Sequence, residues 1–323
     1  MLLTIAQLMI GLFFLWWGAD LMVKNASRFA SALGVSPVLI GLSIVSVGTS
    51  TPELVVSIVA AIQKSAGISI GNIIGSNIAN IGLILGIGAM ITPLKVKASW
   101  IRREVPYMIL VTTIFAYEAF RGYELTRVDG SVLIALLVLF IIYLGRYALK
   151  EMSNFKEIQE ELHLNGMATQ QISVWKKVGF LALSLVGLVI LIVGSDWTVT
   201  SGKIIARHMG VSDMVIGLTI IAVGTSLPEL ATTIVGTLRG ETDLVVGNVI
   251  GSNIFNLVLI GGVVSVIQPV PLEPGLININ LPFLMVLSVL LLPLMRIRYN
   301  INRLEGFFLV AAYVLFLYLT VRV

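Results

Sequence analysis

The hexapeptide Gly48-Thr49-Ser50-Thr51-Pro52-Glu53 returns in the second half of the chain as Gly224-Thr225-Ser226-Leu227-Pro228-Glu229, each copy inside a long apolar segment. The interval that separates Glu53 from Glu229 also joins Gly11 to Gly187, Gly18 to Gly194, Asp20 to Asp196, Ser76 to Ser252, Asn80 to Asn256 and Gly130 to Gly306. From Gly34 to Ala60, more than half of the positions are identical to their partners, without a gap. The chain is therefore an internal duplication, and its fold must accommodate two copies of one unit.

What kind of unit follows from composition. Hydrophobic residues make up 57% of the 323 and charged ones 12%, outside the range of soluble or disordered chains. Ten apolar stretches are long enough to cross a bilayer as helices, at about 3–22, 36–62, 69–92, 104–120, 131–149, 174–196, 212–238, 244–267, 276–295 and 304–321. The expectation is an all-α membrane protein with five spans per copy. Because five is odd, the second copy enters the membrane from the opposite side. The halves are then related by a pseudo-two-fold axis in the membrane plane, the pattern of secondary transporters, whose sites lie at the repeat interface on interrupted helices. The expected division is a first repeat at 1–149, a polar linker at 150–173 and an inverted second repeat at 174–323, with broken helices 2 and 7 at the centre.

The first span has neither a basic lead nor a small-residue cleavage site, and is expected to be a retained helix. With no cysteine, disulfides and thiolate metal sites are excluded. The net charge of +4 does not mark a nucleic-acid binder. With the N-terminus outside, 15 of the 21 Lys and Arg fall on inner loops. The positive-inside rule then sets both termini outside and the linker in the cytoplasm, in a multi-pass protein of the cell membrane. The linker carboxylates Glu157, Glu160 and Glu161 are expected to be a solvated face.

The chemistry lies in the repeated motif. A carboxylate inside a membrane span is costly unless it is used. A proline within a helix removes one backbone hydrogen bond, and Pro52 is expected to free carbonyls around Ser46 to Gly48. Thr49 and Ser50 lie four and three residues before Glu53, on one side of the break. In the next span Asn72, Ser76 and Asn80 form a polar stripe at intervals of four, repeated by Asn248, Ser252 and Asn256. Carboxylate, hydroxyl, amide and carbonyl oxygens are hard donors, suited to calcium or sodium and not to a soft transition metal. Gly71, Gly75, Gly82, Gly86, Gly247 and Gly251 are expected to bring spans 2, 3, 7 and 8 close together. Asp20 and Asp196, near span ends, are expected to serve as interface or helix-end partners.

On these motifs, together with Gly71-Asn72-Ile73-Ile74-Gly75-Ser76-Asn77 and Gly247-Asn248-Val249-Ile250-Gly251-Ser252-Asn253, the chain resembles the sodium/calcium exchanger family of the cation/calcium antiporters, in its compact microbial form. The resemblance implies ion ligands at Thr49, Ser50, Glu53, Ser76 and Asn80, and at Thr225, Ser226, Glu229, Ser252 and Asn256. Backbone oxygens of Ser46 and Ala222 complete the implied set. Family members often carry aspartate where Asn256 stands, and the potassium-dependent branch uses a carboxylate there. Asparagine at both 80 and 256 resembles the potassium-independent kind.

The expected function is antiport of Na⁺ for Ca²⁺ by alternating access, electrogenic, by a monomer with no cofactor. Calcium/proton antiport through the same glutamates is the alternative, and a cation channel a weaker one. A hydrolase lacks support, since no histidine falls within a span.

Overall fold

Lipid offers no partner for backbone N–H and C=O groups, so apolar segments of this length satisfy them internally as helices. The computed structural model describes residues 1–164, 172–210, 224–272, 274 and 276–321. In chain order the helices are α1 (Leu2–Leu33), α2 (Pro37–Thr49), α3 (Thr51–Ile62), α4 (Gly67–Ile91), α5 (Ala98–Arg102), α6 (Glu104–Gly122) and α7 (Arg127–Leu164). There follow α8 (Val174–His208), α9 (Leu227–Leu238), α10 (Thr242–Ile267), α11 (Ile277–Arg298) and α12 (Arg303–Val321). Seven of them are long and apolar enough to cross a membrane, and α2 with α3, bent by 44°, makes an eighth. The other two spans are α6, which carries Glu104, Glu118 and Arg121, and the segment ending in α9, whose earlier part lies outside the described residues.

Several helices outrun their expected spans. α1 continues to Leu33 and α8 to His208, and α7 runs on to Leu164 through the first part of the expected linker. Helical hydrogen bonding is indifferent to the lipid boundary, and in α7 the Lys, Glu and Gln residues beyond it favour helix. The extension of α7 also touches the first repeat. Glu151 Oε2 accepts the backbone N–H of Ser36, at the start of α2, at 2.7 Å.

The duplication is written into the backbone. Positive φ angles occur at Gly34 (73°), Lys64 (57°) and Tyr123 (52°), and again at their counterparts in the second repeat, Gly210 (82°), Gly240 (75°) and Tyr299 (53°). Four two-residue strands repeat as well: β1 (Leu94–Lys95), β2 (Glu124–Leu125), β3 (Val270–Pro271) and β4 (Asn300–Ile301). By the repeat interval β3 corresponds to β1, and β4 to β2. Yet β1 pairs antiparallel with β4, and β2 with β3. Each pairing therefore joins one repeat to the other, in reciprocal fashion, as a two-fold axis between inverted halves requires.

The same reciprocity packs α1 against α8. A Cβ on Gly18 would stand 2.5 Å from Leu191 N and 2.8 Å from Gly187 O; one on Gly187 would stand 2.5 Å from Met22 N and 2.8 Å from Gly18 O. Only glycine allows backbones this close. Within the bundle α4 and α10 form the centre, with 78% of their apolar windows buried, against 22% for α1 and 28% for α8.

Gly247 and Gly251 seat α10 on α2, against Val38 and Leu42. Their counterparts Gly71 and Gly75 meet nothing within 4 Å among the described residues. Gly82 and Gly86 behave otherwise than expected. They seat α4 on α12, against Tyr313 and Gly306, so they brace the outside of the core and do not draw spans 2, 3, 7 and 8 together.

Candidate functional site

Each motif breaks its helix at the serine. Ser50 (φ −82°, ψ 7°) separates α2 from α3, and Ser226 (φ −90°, ψ 8°) precedes α9 with nearly the same geometry. Pro52 and Pro228 lie in the first turn of the helix that follows, where a missing N–H costs little. Glu53 and Glu229 fall in those same first turns, where the helix dipole favours a negative charge.

The break does not strip the Ser46 carbonyl of partners, as the sequence suggested. It accepts the N–H of Ser50 at 3.0 Å, and the hydroxyl oxygen of Thr49 lies 3.4 Å from it. The donor that proline removes is one turn beyond Gly48, whereas the donor facing Ser46 belongs to Ser50, which keeps its N–H. Ala222, the counterpart of Ser46, lies outside the described residues.

Around the two carboxylates the repeats exchange hydroxyls. Ser50 donates to Glu229 Oε1 at 3.0 Å, and Ser226 donates to Glu53 Oε1 at 3.2 Å. Ser252 lies 3.5 Å from the same Glu229 oxygen, and Ser76 lies 3.4 Å from the Ser226 hydroxyl. Since Ser50 and Ser226 each precede their own glutamate by three residues, these bonds set each carboxylate beside the other repeat's break. Both glutamates are buried, and neither forms an ion pair with a basic side chain among the described residues. Two buried charges without a counter-charge would cost several kcal/mol each, so the arrangement calls for a bound cation or for protons on the carboxylates.

The free oxygens are of the right kind. Glu53 Oε2, Glu229 Oε2, Asn80 Oδ1 and Asn256 Oδ1 are buried without a hydrogen-bond partner among the described residues, one on each of α3, α9, α4 and α10. Asn80 and Asn256 also begin wider π-turns, Asn80–Ile84 and Asn256–Gly261, a local unwinding often found at functional positions. No group of three His, Cys, Asp or Glu side chains forms a metal cluster among the described residues. The donor set is two carboxylates with neutral oxygens, chemistry for a hard cation.

Thr49 and Thr225 bring in two residues absent from the expected ligand set. Thr49 Oγ1 donates to Asn248 Oδ1, and Thr225 Oγ1 to Asn72 Oδ1, both at 3.2 Å and both across the repeat interface. Asn72 further donates to Ser57 Oγ at 2.9 Å and to the Glu53 carbonyl at 3.2 Å. The signal for both asparagines was the four-residue stripe that each opens. Asp20 takes no part in this network: it pairs with Arg239, its Oδ1 accepting from Arg239 Nε at 2.6 Å.

The sequence model of the family described as sodium/calcium exchanger protein matches residues 3–146 and 179–322, most of the chain in two stretches. The chain is 40% identical over 326 residues to a putative antiporter, CaxA, of Alkalimonas amylolytica, covering 99% of both. It is 35% identical over 339 residues to the sodium/calcium exchanger MaX1 of Methanosarcina acetivorans, covering 96% of both. Among solved structures, the sodium-calcium exchanger NCX_Mj soaked with Na⁺ and Sr²⁺ superposes with a TM-score of 0.82 at 34% identity, covering 97% of both chains. With an inverted pair of five-helix repeats meeting at two buried glutamates, the chain belongs to the sodium/calcium exchanger family.

Proposed function

We propose that this protein exchanges Na⁺ for Ca²⁺ across the cell membrane by alternating access, with Thr49, Ser50, Glu53, Ser76, Asn80, Thr225, Ser226, Glu229, Ser252 and Asn256 as side-chain ligands and Ser46 and Ala222 as backbone ones. The observation that carries the reading is the reciprocal hydroxyl bonding of two buried, unneutralised glutamates from inverted repeats. The relatives named as exchanger and antiporter support it.

Charge permits an electrogenic cycle at the three-to-one exchange that the family resemblance implies. Two ionised glutamates carry −2, which one Ca²⁺ neutralises and three Na⁺ exceed by one. Moving that charge through 100 mV is worth roughly 2.3 kcal/mol, a useful contribution to expelling calcium. Asparagine at 80 and 256 leaves no third carboxylate in the set, which favours independence from potassium. Positive loop charge supports termini outside and the 150–173 linker inside. The working unit in this reading is one chain, with 1–149 and 174–323 as its two repeats.

Calcium uptake by reconstituted vesicles under an imposed sodium gradient, with the pH gradient collapsed, tests the reading. Uptake is expected from the wild type and not from Glu53→Gln. Uptake that follows a proton gradient and ignores sodium would overturn it in favour of calcium/proton antiport.

A further inference from the structure

We propose that Asn72 and Asn248 are positioning residues for the cation: each takes the hydroxyl proton of a threonine in the opposite repeat and so turns that threonine's lone pairs toward the ion. This rests on the exchange reading, in which Thr49 and Thr225 are ligands. A hydroxyl has one hydrogen and two lone pairs. A cation needs the lone pairs, so the hydrogen must be held elsewhere by an acceptor that is not itself a ligand. Asn248 Oδ1 supplies that acceptor to Thr49 and Asn72 Oδ1 supplies it to Thr225, each at 3.2 Å. Partners lying behind metal ligands fix orientation in just this way.

The two asparagines are not equally held. Asn72 spends its amide hydrogens on Ser57 Oγ and on the Glu53 carbonyl, which leaves Oδ1 facing Thr225. A flipped amide would point its oxygen at the Glu53 carbonyl and its hydrogens at the Thr225 oxygen. Asn248 Nδ2 has no partner among the described residues, and neither has the hydroxyl of Thr233, the counterpart of Ser57. The amide of Asn72 is thus set in advance, while that of Asn248 is free to turn. Sodium, which relies on neutral oxygens more than calcium does, is the ion that senses this difference.

The test is a double-mutant cycle on Asn72→Leu and Thr225→Val, with Asn248→Leu alongside. Na⁺ and Ca²⁺ binding to the purified protein are read separately from the rise in melting temperature with each ion. Asn72→Leu is expected to raise the half-saturating Na⁺ about tenfold, the low end for an outer partner of a bound metal, with a smaller effect on Ca²⁺. Asn248→Leu is expected to change it less. In the Thr225→Val background Asn72→Leu should have no further effect on Na⁺, whatever it does to the melting temperature without ions. A Na⁺ effect that persists undiminished in that background, or wild-type affinity in Asn72→Leu, overturns the proposal. Because the readout is binding, a wild type that binds both ions but does not exchange them defeats the functional reading while the cycle still decides the role of Asn72.

Discussion

In the first repeat the amide of Asn72 has both a hydroxyl and a carbonyl to donate to; in the second, Asn248 Nδ2 and the Thr233 hydroxyl each lie buried without a partner among the described residues. A similar contrast appears along α1 and α8. Asp20 is paired with Arg239, whereas its counterpart Asp196 is exposed with no ion pair among the described residues, and glutamine occupies position 63, the counterpart of Arg239. Around the glutamates the two serine–carboxylate bonds match across the repeats. The duplication has been kept where the two halves share one site, and has drifted where each side chain answers only to its own surroundings.

Substitutions at matched pairs break or sharpen that comparison. The largest effect is expected at the glutamates. Glu53→Gln and Glu229→Gln keep shape and lose charge, and both should reduce sodium-driven calcium uptake to background; substantial uptake in one alone would mean that the copies are not equivalent at their centre. Next come Gly18→Val and Gly187→Val, which push a side chain into backbone 2.5–2.8 Å away. Overpacking of this kind costs about 1–3 kcal/mol, and the two variants should lower the melting temperature by similar amounts.

Smaller again is Ser50→Ala against Ser226→Ala. Each removes a hydroxyl bond to the other repeat's carboxylate, worth about 1.5 kcal/mol when the acceptor is charged, so the half-saturating Ca²⁺ should rise about tenfold in both. The smallest effect is expected from Asp20→Asn. A partly exposed ion pair contributes less than about 1 kcal/mol, and chemical denaturation should show a loss within that bound, with none at all for Asp196→Asn.

Much of this was legible in the chain. The constant interval between matching positions, the odd number of spans and the proline beside each glutamate are local facts, and they lead to inverted halves without any knowledge of packing. Other features are not local. Nothing in the apolar run after Asn80 or Asn256 announces a π-turn. The bonds from Thr49 to Asn248 and from Thr225 to Asn72 require the relative register of the two repeats, which symmetry constrains but does not specify. Gly82 and Gly86 read like their neighbours in the same span, yet face α12, because spacing reports a small-residue face and not the helix it meets. The ends of α1 and α7 were missed because hydrophobicity marks where lipid stops and not where a helix does.

The short strands have a consequence for how such a chain came about. Within one repeat β1 and β2 lie at opposite ends of α6, whose 19 residues extend about 28 Å, so they cannot reach each other. Each finds its mate only in the other repeat. A half-length ancestor carrying both strands would have had two open clasps, one at each membrane face, closable only by a second molecule lying upside down beside it. In the present chain both clasps are closed from within, each half holding an end of the other.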